Sequence, residues 1–244
     1  MRALTRPNEP PLRFEVVRRL RDGVPEDLLG YLLRHRRWPA ARTRWCTSDL
    51  KRGPVKRLIT QLANEVYAAE PGRTRPVRIL NCLGMRAAES HARAKRPPLR
   101  VDANGRREVT EWLPLHTWPT ERVWARINAA GAEPHPAYAA GQSRASCVFC
   151  VLNGNRGELA SAARLHPQLA QLYELAEWLI GHDFRADLAM RDVLAAAEVP
   201  LLPRDWPLEA IFQAAPAGTG TAVAIAVLRG ELPVAQALAG ATRS

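Results

Sequence analysis

Apolar side chains recur at helical spacing in several stretches and form a near-unbroken run in one, and these two patterns set the expected elements. Leu28, Leu29, Leu32 and Leu33 make one stripe within residues 25–37, where Pro25 suits a first helical turn and Trp38-Pro39 marks the end. Residues 14–21 read as a shorter helix ahead of it. Gly53-Pro54 opens another helix, with Val55, Leu58, Ile59, Leu62 and Val66 at helical spacing, and Pro71-Gly72 stops it. The run Val77, Ile79, Leu80, Cys82 and Leu83 predicts a buried strand that leads directly into Gly84. A strand ending in glycine and followed by cations is a common place for an α/β protein to bind an anion.

Residues 94–107, with Pro97-Pro98 and Asn104-Gly105, read as an exposed loop or hairpin turn, and 108–115 as a second strand. A helix over 117–130 is expected, capped by Thr117, with Val123, Trp124 and Ile127 facing inward and Gly131 closing it. Residues 133–150 form a loop, and three helices come after it over 159–165, 167–180 and 186–197. Beyond Pro200 the composition turns to proline, alanine and glycine; 206–212 is a docking segment, and the final stretch is weakly specified. Residues 1–12, broken by Pro7, Pro10 and Pro11, predict a loosely attached start.

Composition narrows the class. A chain of 244 residues and 27.1 kDa, 47% hydrophobic and 24% charged, can bury a full core in one domain with an appendage. No apolar run approaches the roughly 20 residues that a membrane span needs, and no apolar leader follows the basic start, so a cytoplasmic protein without a membrane is expected. Net charge is +11 and unevenly spread: residues 1–57 hold 15 Lys and Arg against 6 Asp and Glu, while 198–244 hold 3 against 4. Such a field draws nucleotides, sulfated or phosphorylated ligands, or nucleic acid. Solvated surface arginine is the plainer alternative for most of these cations.

Four cysteines in a chain of this length do not suggest a disulfide framework. Cys147 and Cys150 form a C-x-x-C pair that can reach one metal, and Cys46, beside basic residues, has its thiolate form favoured. An inert or redox-active pair is the other reading. Cys82, inside the apolar run, reads as a core residue. Lys51, Arg86, Arg93 and Arg144 lie in or beside the stretches that carry the thiols or the glycine turn, and arginine suits bidentate contact with phosphate or sulfate oxygens. Glu89 is placed to orient Arg86 and Arg93, or to act as a general base. His135 and Tyr138 either hydrogen-bond a ligand or serve the loop's structure.

The stretches Arg44-Trp45-Cys46-Thr47-Ser48-Asp49-Leu50-Lys51, Gly84-Met85-Arg86-Ala87-Ala88-Glu89-Ser90-His91-Ala92-Arg93, Trp112-Leu113-Pro114-Leu115 with Trp118 and Val123-Trp124, and His135-Pro136-Ala137-Tyr138 with Gly141, Arg144 and Cys147-Val148-Phe149-Cys150 occur in this order. Together they resemble the phosphoadenosine phosphosulfate (PAPS) reductase family over about residues 36–195, most closely its bacterial and phage branch related to the DNA-phosphorothioation sulfurtransferases.

The resemblance implies a Rossmann-like three-layer α/β sandwich of the adenine nucleotide alpha hydrolase-like kind over 36–197. A basic helical segment over 1–35 precedes it, and an Ala/Pro-rich tail over 198–244 comes after a helical C-terminal part. It implies an adenine nucleotide or sulfonucleotide pocket lined by Lys51, Gly84, Arg86, Glu89, Ser90, Arg93, His135, Tyr138 and Arg144. It also implies a 4Fe-4S cluster, or zinc, on Cys46, Cys147 and Cys150; the family's adjacent cysteine pair has only Cys46 here, leaving three of four ligands.

Two departures stand out. The family's first strand and phosphate-binding loop, of the type Ser-Gly-Gly-Lys-Asp-Ser, do not occur in the sequence, and no cysteine follows Cys150 to attack sulfur. The expectation is nucleotide-linked sulfur chemistry of the PAPS reductase or ATP-pyrophosphatase sulfur-transfer type. The loop would come from a partner chain at an exposed sheet edge, and thiol-dependent reduction by the usual route would be absent. The alternative is a non-catalytic basic module that binds nucleotides or DNA.

Overall fold

Asp22-Gly23 turns the chain where a helix was expected. In a computed structural model that describes residues 13–239, Arg19–Arg21 (β1) pairs antiparallel with Val24–Glu26 (β2), and both turn residues take positive φ, 51° and 82°. Asp-Gly is the favoured pair for such a hairpin turn. Phe14 and Val16, within the expected helix, are 77% and 69% exposed. The predicted loose start, 1–12, lies outside the described residues.

The next helix is shorter than 25–37. It runs Leu28–His35 (α1), because Asp27 caps it by accepting the Gly30 N–H at 2.8 Å, and Arg36 ends it in the left-handed region. Trp45–Thr47 (α2) passes through a π-helical turn, Ser48–Arg52, into Gly53–Ala69 (α3). Then come Val77–Cys82 (β3), a 3-10 turn at Ala87–Glu89, His91–Ala94 (α4), Leu99–Ala103 (β4), Arg107–Trp112 (β5), Thr120–Ala129 (α5) and Pro136–Ala139 (α6). Six helices complete the described chain: Arg156–Leu165 (α7), Pro167–Ile180 (α8), Met190–Ala197 (α9), Leu208–Ala214 (α10), Gly220–Leu228 (α11) and Val234–Ala239 (α12). A strand occupies part of the predicted 94–107 loop, and a short helix part of 133–150. Pro119, not Thr117, is the N-cap of α5. The chain is a mixed α/β protein with helices and a sheet that contains a parallel pair, as the resemblance implies.

Contacts divide the chain into two compact units, 1–55 with 148–244 and 56–147. The first unit holds one hydrophobic core, in which Leu29, Leu32, Trp38, Phe149, Leu159, Leu172, Leu175, Met190 and Leu194 are buried. The segment 206–212, expected to dock, does so through Leu208 and Ile211, and Ala224, in the stretch expected to be weakly specified, is fully buried in the same core. Glu174 of α8 is 1% exposed, and Arg204 grips its carboxylate through two hydrogen bonds of 2.8 and 2.7 Å. Thr221 N–H donates to Asp27 at 3.0 Å, so the cap of α1 also holds the start of α11.

Gly218 lies at φ +71° with Pro25 so close that an added Cβ would stand 2.7 Å from the ring. Gly218→Ala is therefore expected to lower stability by about 1–3 kcal/mol in urea denaturation, from backbone strain and overlap together.

The second unit is built on a three-stranded sheet of order β3-β5-β4, with β3 parallel and β4 antiparallel to β5. α3 is tied to it by the Arg107 guanidinium, which donates to Thr60, and by Tyr67 Oη, which donates to the Arg106 carbonyl at 3.1 Å. β3 is an edge strand and not a buried one; Leu80 is 59% exposed, and Cys82 is exposed rather than in the core.

Candidate functional site

The parallel register sets Cys82 beside Trp112, so β3 and β5 reach their carboxyl ends at the same edge of the sheet. Open parallel sheets place ligands there, in the loops at the strand ends. The two loops are laced together by backbone bonds: Leu83 N–H donates to Trp112 O at 2.9 Å, and Ala87 N–H to His116 O at 2.9 Å. His116 is buried, and its Nε2 lies 3.0 Å from the Arg93 carbonyl. A carbonyl only accepts, so the proton sits on Nε2.

Arg86 crosses between the loops. Its Nη1 donates to Trp118 O at 3.3 Å and to Thr120 Oγ1 at 3.1 Å, and its Nε lies 3.7 Å from Glu89. Glu89 is shared, because Arg93 pairs with its other carboxylate oxygen. Ser90 Oγ accepts the Arg93 N–H at 3.3 Å and so caps α4. Beside them, Gly84 is exposed, and a Cβ added there would meet open space, so no neighbour demands glycine. A bare backbone at a strand end leaves room for an anion. Gly84, Arg86, Glu89, Ser90 and Arg93 thus share one loop system in the second unit.

The remaining predicted residues have local partners of their own. His135 caps α6, its Nδ1 accepting the Ala137 N–H at 3.1 Å, and Tyr138 stacks edge-on against Trp124 at 4.8 Å. Arg144 is exposed. Lys51 lies in the π-helical turn of the first unit. Depressions in the second unit lie on α3 and the Asn104-Gly105 turn, lined by Thr60, Asn64 and Arg107 among others, away from the strand ends.

The π-helical turn has a support that sequence reasoning missed. Tyr31, buried, donates its Oη to Asp49 at 2.6 Å, stacks on His35 at 3.9 Å and leans on Trp45 at 4.5 Å. Arg19 and Arg34 lie over its ring at 4.5 and 5.0 Å. Hydrogen bonds from Ser48 and Tyr31, with the Arg19 charge, hold the Asp49 carboxyl below the usual carboxylate range, while burial works against them. Burial pushes the Tyr31 phenol up, helped by Asp49, and burial with Arg34 pushes the His35 imidazole down. π-turns inside helices concentrate at functional sites. A depressed Asp49 contributes stability that is present above its unfolded pKa and lost as pH falls through the folded one. Tyr31→Phe is expected to cost about 1–2 kcal/mol at pH 7 and to move the acid-side loss to higher pH, read by thermal melts across pH 2–6.

The thiols do not make a metal site in the described residues. Cys46 and Cys150 belong to the first unit and Cys147 ends the second. Among the described residues, no group of three or more His, Cys, Asp and Glu side chains is placed to hold a metal ion. The segment just past the C-x-x-C pair is a structural anchor: Asn153 N–H donates to Cys150 O at 2.8 Å, and its side-chain amide donates to Glu158 at 3.1 Å. Arg185 Nη1 donates to Asn153 O at 2.5 Å.

Comparison with known proteins finds a similarity over part of the chain. Residues 51–153 match the phosphoadenosine phosphosulfate reductase domain. The match takes in the strand-end loops, Lys51 and the C-x-x-C pair, but begins after Cys46. Among individual proteins, the chain is 30% identical over 142 residues to an uncharacterized 37.8 kDa protein of Escherichia phage 186. That stretch is 58% of this chain and 39% of the phage protein, so the chain spans well under two thirds of that relative. No solved structure matches. Among the described residues, no helix is long and apolar enough to cross a membrane.

Proposed function

We propose that the second unit binds an adenine nucleotide or sulfonucleotide through Arg86 and Arg93 at the carboxyl ends of β3 and β5, as part of nucleotide-linked sulfur chemistry. The family match supports sulfur chemistry on a nucleotide at the level of the domain. The observation that carries the reading is the lacing of both strand-end loops around two arginines that share one carboxylate. In the free protein Glu89 neutralises part of that charge. A phosphate or sulfate competes with Glu89 for the guanidinium donors, and Arg86, already braced on Trp118 and Thr120, offers a preset orientation.

A 4Fe-4S cluster or zinc on Cys46, Cys147 and Cys150 is a separate proposal; among the described residues no group of three or more His, Cys, Asp and Glu side chains is placed to hold a metal ion. Iron, sulfide and zinc analysis of anaerobically purified wild-type and Cys46→Ser protein decides that question separately. A partner chain bearing a phosphate loop would add at β3, whose outer edge has no strand neighbour among the described residues. The reading as a DNA-binding module draws less support, since Arg19 and Arg34 of the basic first segment are committed to Glu26, at 2.8 and 2.9 Å.

Isothermal titration with PAPS, ATP and adenosine tests the proposal. Phosphorylated ligands are expected to bind and adenosine to bind at least roughly tenfold more weakly. Arg93→Met, at a half-exposed position, should weaken PAPS by roughly fivefold, and Glu89→Gln should tighten it by a few-fold. Equal affinity for adenosine, or no response to either substitution, contradicts the assignment.

A further inference from the structure

One face of the sheet in the second unit is bare. The register sets Arg78, Leu80 and Cys82 of β3 beside Glu108, Thr110 and Trp112 of β5, and these beside Ala103, Val101 and Leu99 of β4. Side chains alternate along strands, so these residues share a face. Leu80, Leu99, Val101 and Trp112 are 59%, 57%, 54% and 42% exposed. The Arg78–Glu108 ion pair at 3.5 Å marks the polar end of the patch. The opposite face carries Arg107, which reaches α3. Sheet faces with contiguous large apolar side chains are normally covered, and an uncovered one marks an interaction surface.

We propose that this bare face docks an acidic amphipathic helix of another protein. Charge favours that occupant. Residues 56–147 hold 15 Lys and Arg against 8 Asp and Glu, so the patch sits on a strongly positive unit. A second copy of the chain brings the same excess, +11 in all, and is repelled. Width favours it as well: two interstrand steps make roughly 10 Å, about the diameter of one helix. An apolar helix stripe laid along β5 covers Leu80, Val101, Leu99 and Trp112. The proposal does not rest on nucleotide binding, and its test is run without nucleotide.

The test uses the full chain and labelled synthetic helical peptides of about 18 residues, five turns. One carries leucine at i, i+3, i+4 and i+7 with glutamate elsewhere, one has lysine in place of glutamate, and one has alanine in place of leucine. By fluorescence anisotropy the Leu/Glu peptide is expected to bind, and the other two at least roughly tenfold more weakly. Leu80→Asp and Val101→Asp, both at exposed positions and checked for folding by circular dichroism, should each cut Leu/Glu binding at least roughly tenfold. Sedimentation velocity should show a monomer. No binding by the Leu/Glu peptide, equal binding by the Leu/Lys peptide, or binding that survives both substitutions overturns the proposal. A dimer abolished by Leu80→Asp assigns the face to a second copy and overturns it too.

Discussion

Arg204→Ala is expected to lower the stability of the first unit by about 3 kcal/mol, read as a drop in the urea midpoint at unchanged slope. Glu174 is 1% exposed and takes two hydrogen bonds from Arg204. Removing the guanidinium leaves a carboxylate in the core with its charge uncompensated, which is far worse than never having buried the pair. Arg204 itself is 34% exposed, so water reaching the vacated place returns part of the loss. Replacing both partners, Glu174→Leu with Arg204→Met, should recover much of the stability. A loss below about 1 kcal/mol for Arg204→Ala would mean that the residues after 197 are not fastened to α8 as described.

Glu177→Ala should be comparably costly, about 2–4 kcal/mol, because two buried backbone donors lose their acceptor. The Glu177 carboxylate accepts the N–H of Phe184 and, at 2.8 Å, that of Met190. It thereby fixes the segment between α8 and α9. Burial raises its pKa, and the two N–H groups offset that only in part. A carboxyl raised on folding binds its proton more tightly in the native state. Its contribution is therefore complete below the unfolded pKa and is lost as pH rises through the raised value. Glu177→Gln keeps an acceptor without the charge, so it should lose less than alanine and flatten the stability profile across that window. Chemical denaturation at several pH values from 4 to 8 checks both.

Periodicity was a good guide where one element decides its own fate. α3 runs from Gly53 as its spacing predicted, α8 over Pro167–Ile180, β3 falls on the apolar run and β5 on the expected second strand. It misled where partners decide. Residues 14–21 have a helical spacing of apolar groups, yet Asp22-Gly23 is a hairpin turn, and the turn chemistry won. The segment 220–228 is apolar on every side, which reads as unspecific until other helices surround it. Nothing local announces that Arg204 meets a carboxylate 30 residues earlier, or that Tyr31 holds Asp49.

The site was legible in part for the same reason. Arg86, Glu89, Ser90 and Arg93 lie within one short stretch, so their neighbourhood comes from the chain itself. Trp118, from the loop after the neighbouring strand, and Thr120, which opens α5, brace Arg86, and only the parallel pairing of β3 with β5 brings them there. Cys46 is distant in sequence from the C-x-x-C pair, so no short stretch sets their neighbourhood, and among the described residues no group of three or more His, Cys, Asp and Glu side chains is placed to hold a metal ion.

Hydrogen exchange of the full chain with and without saturating PAPS tests the location of the site most directly. The account predicts slowed exchange at the amides of residues 83–93 and 113–120 together, with the turn at 22–23 and the exposed face of α3 unchanged. Protection confined to α3 or to the first unit, with both strand-end loops unaffected, would contradict it.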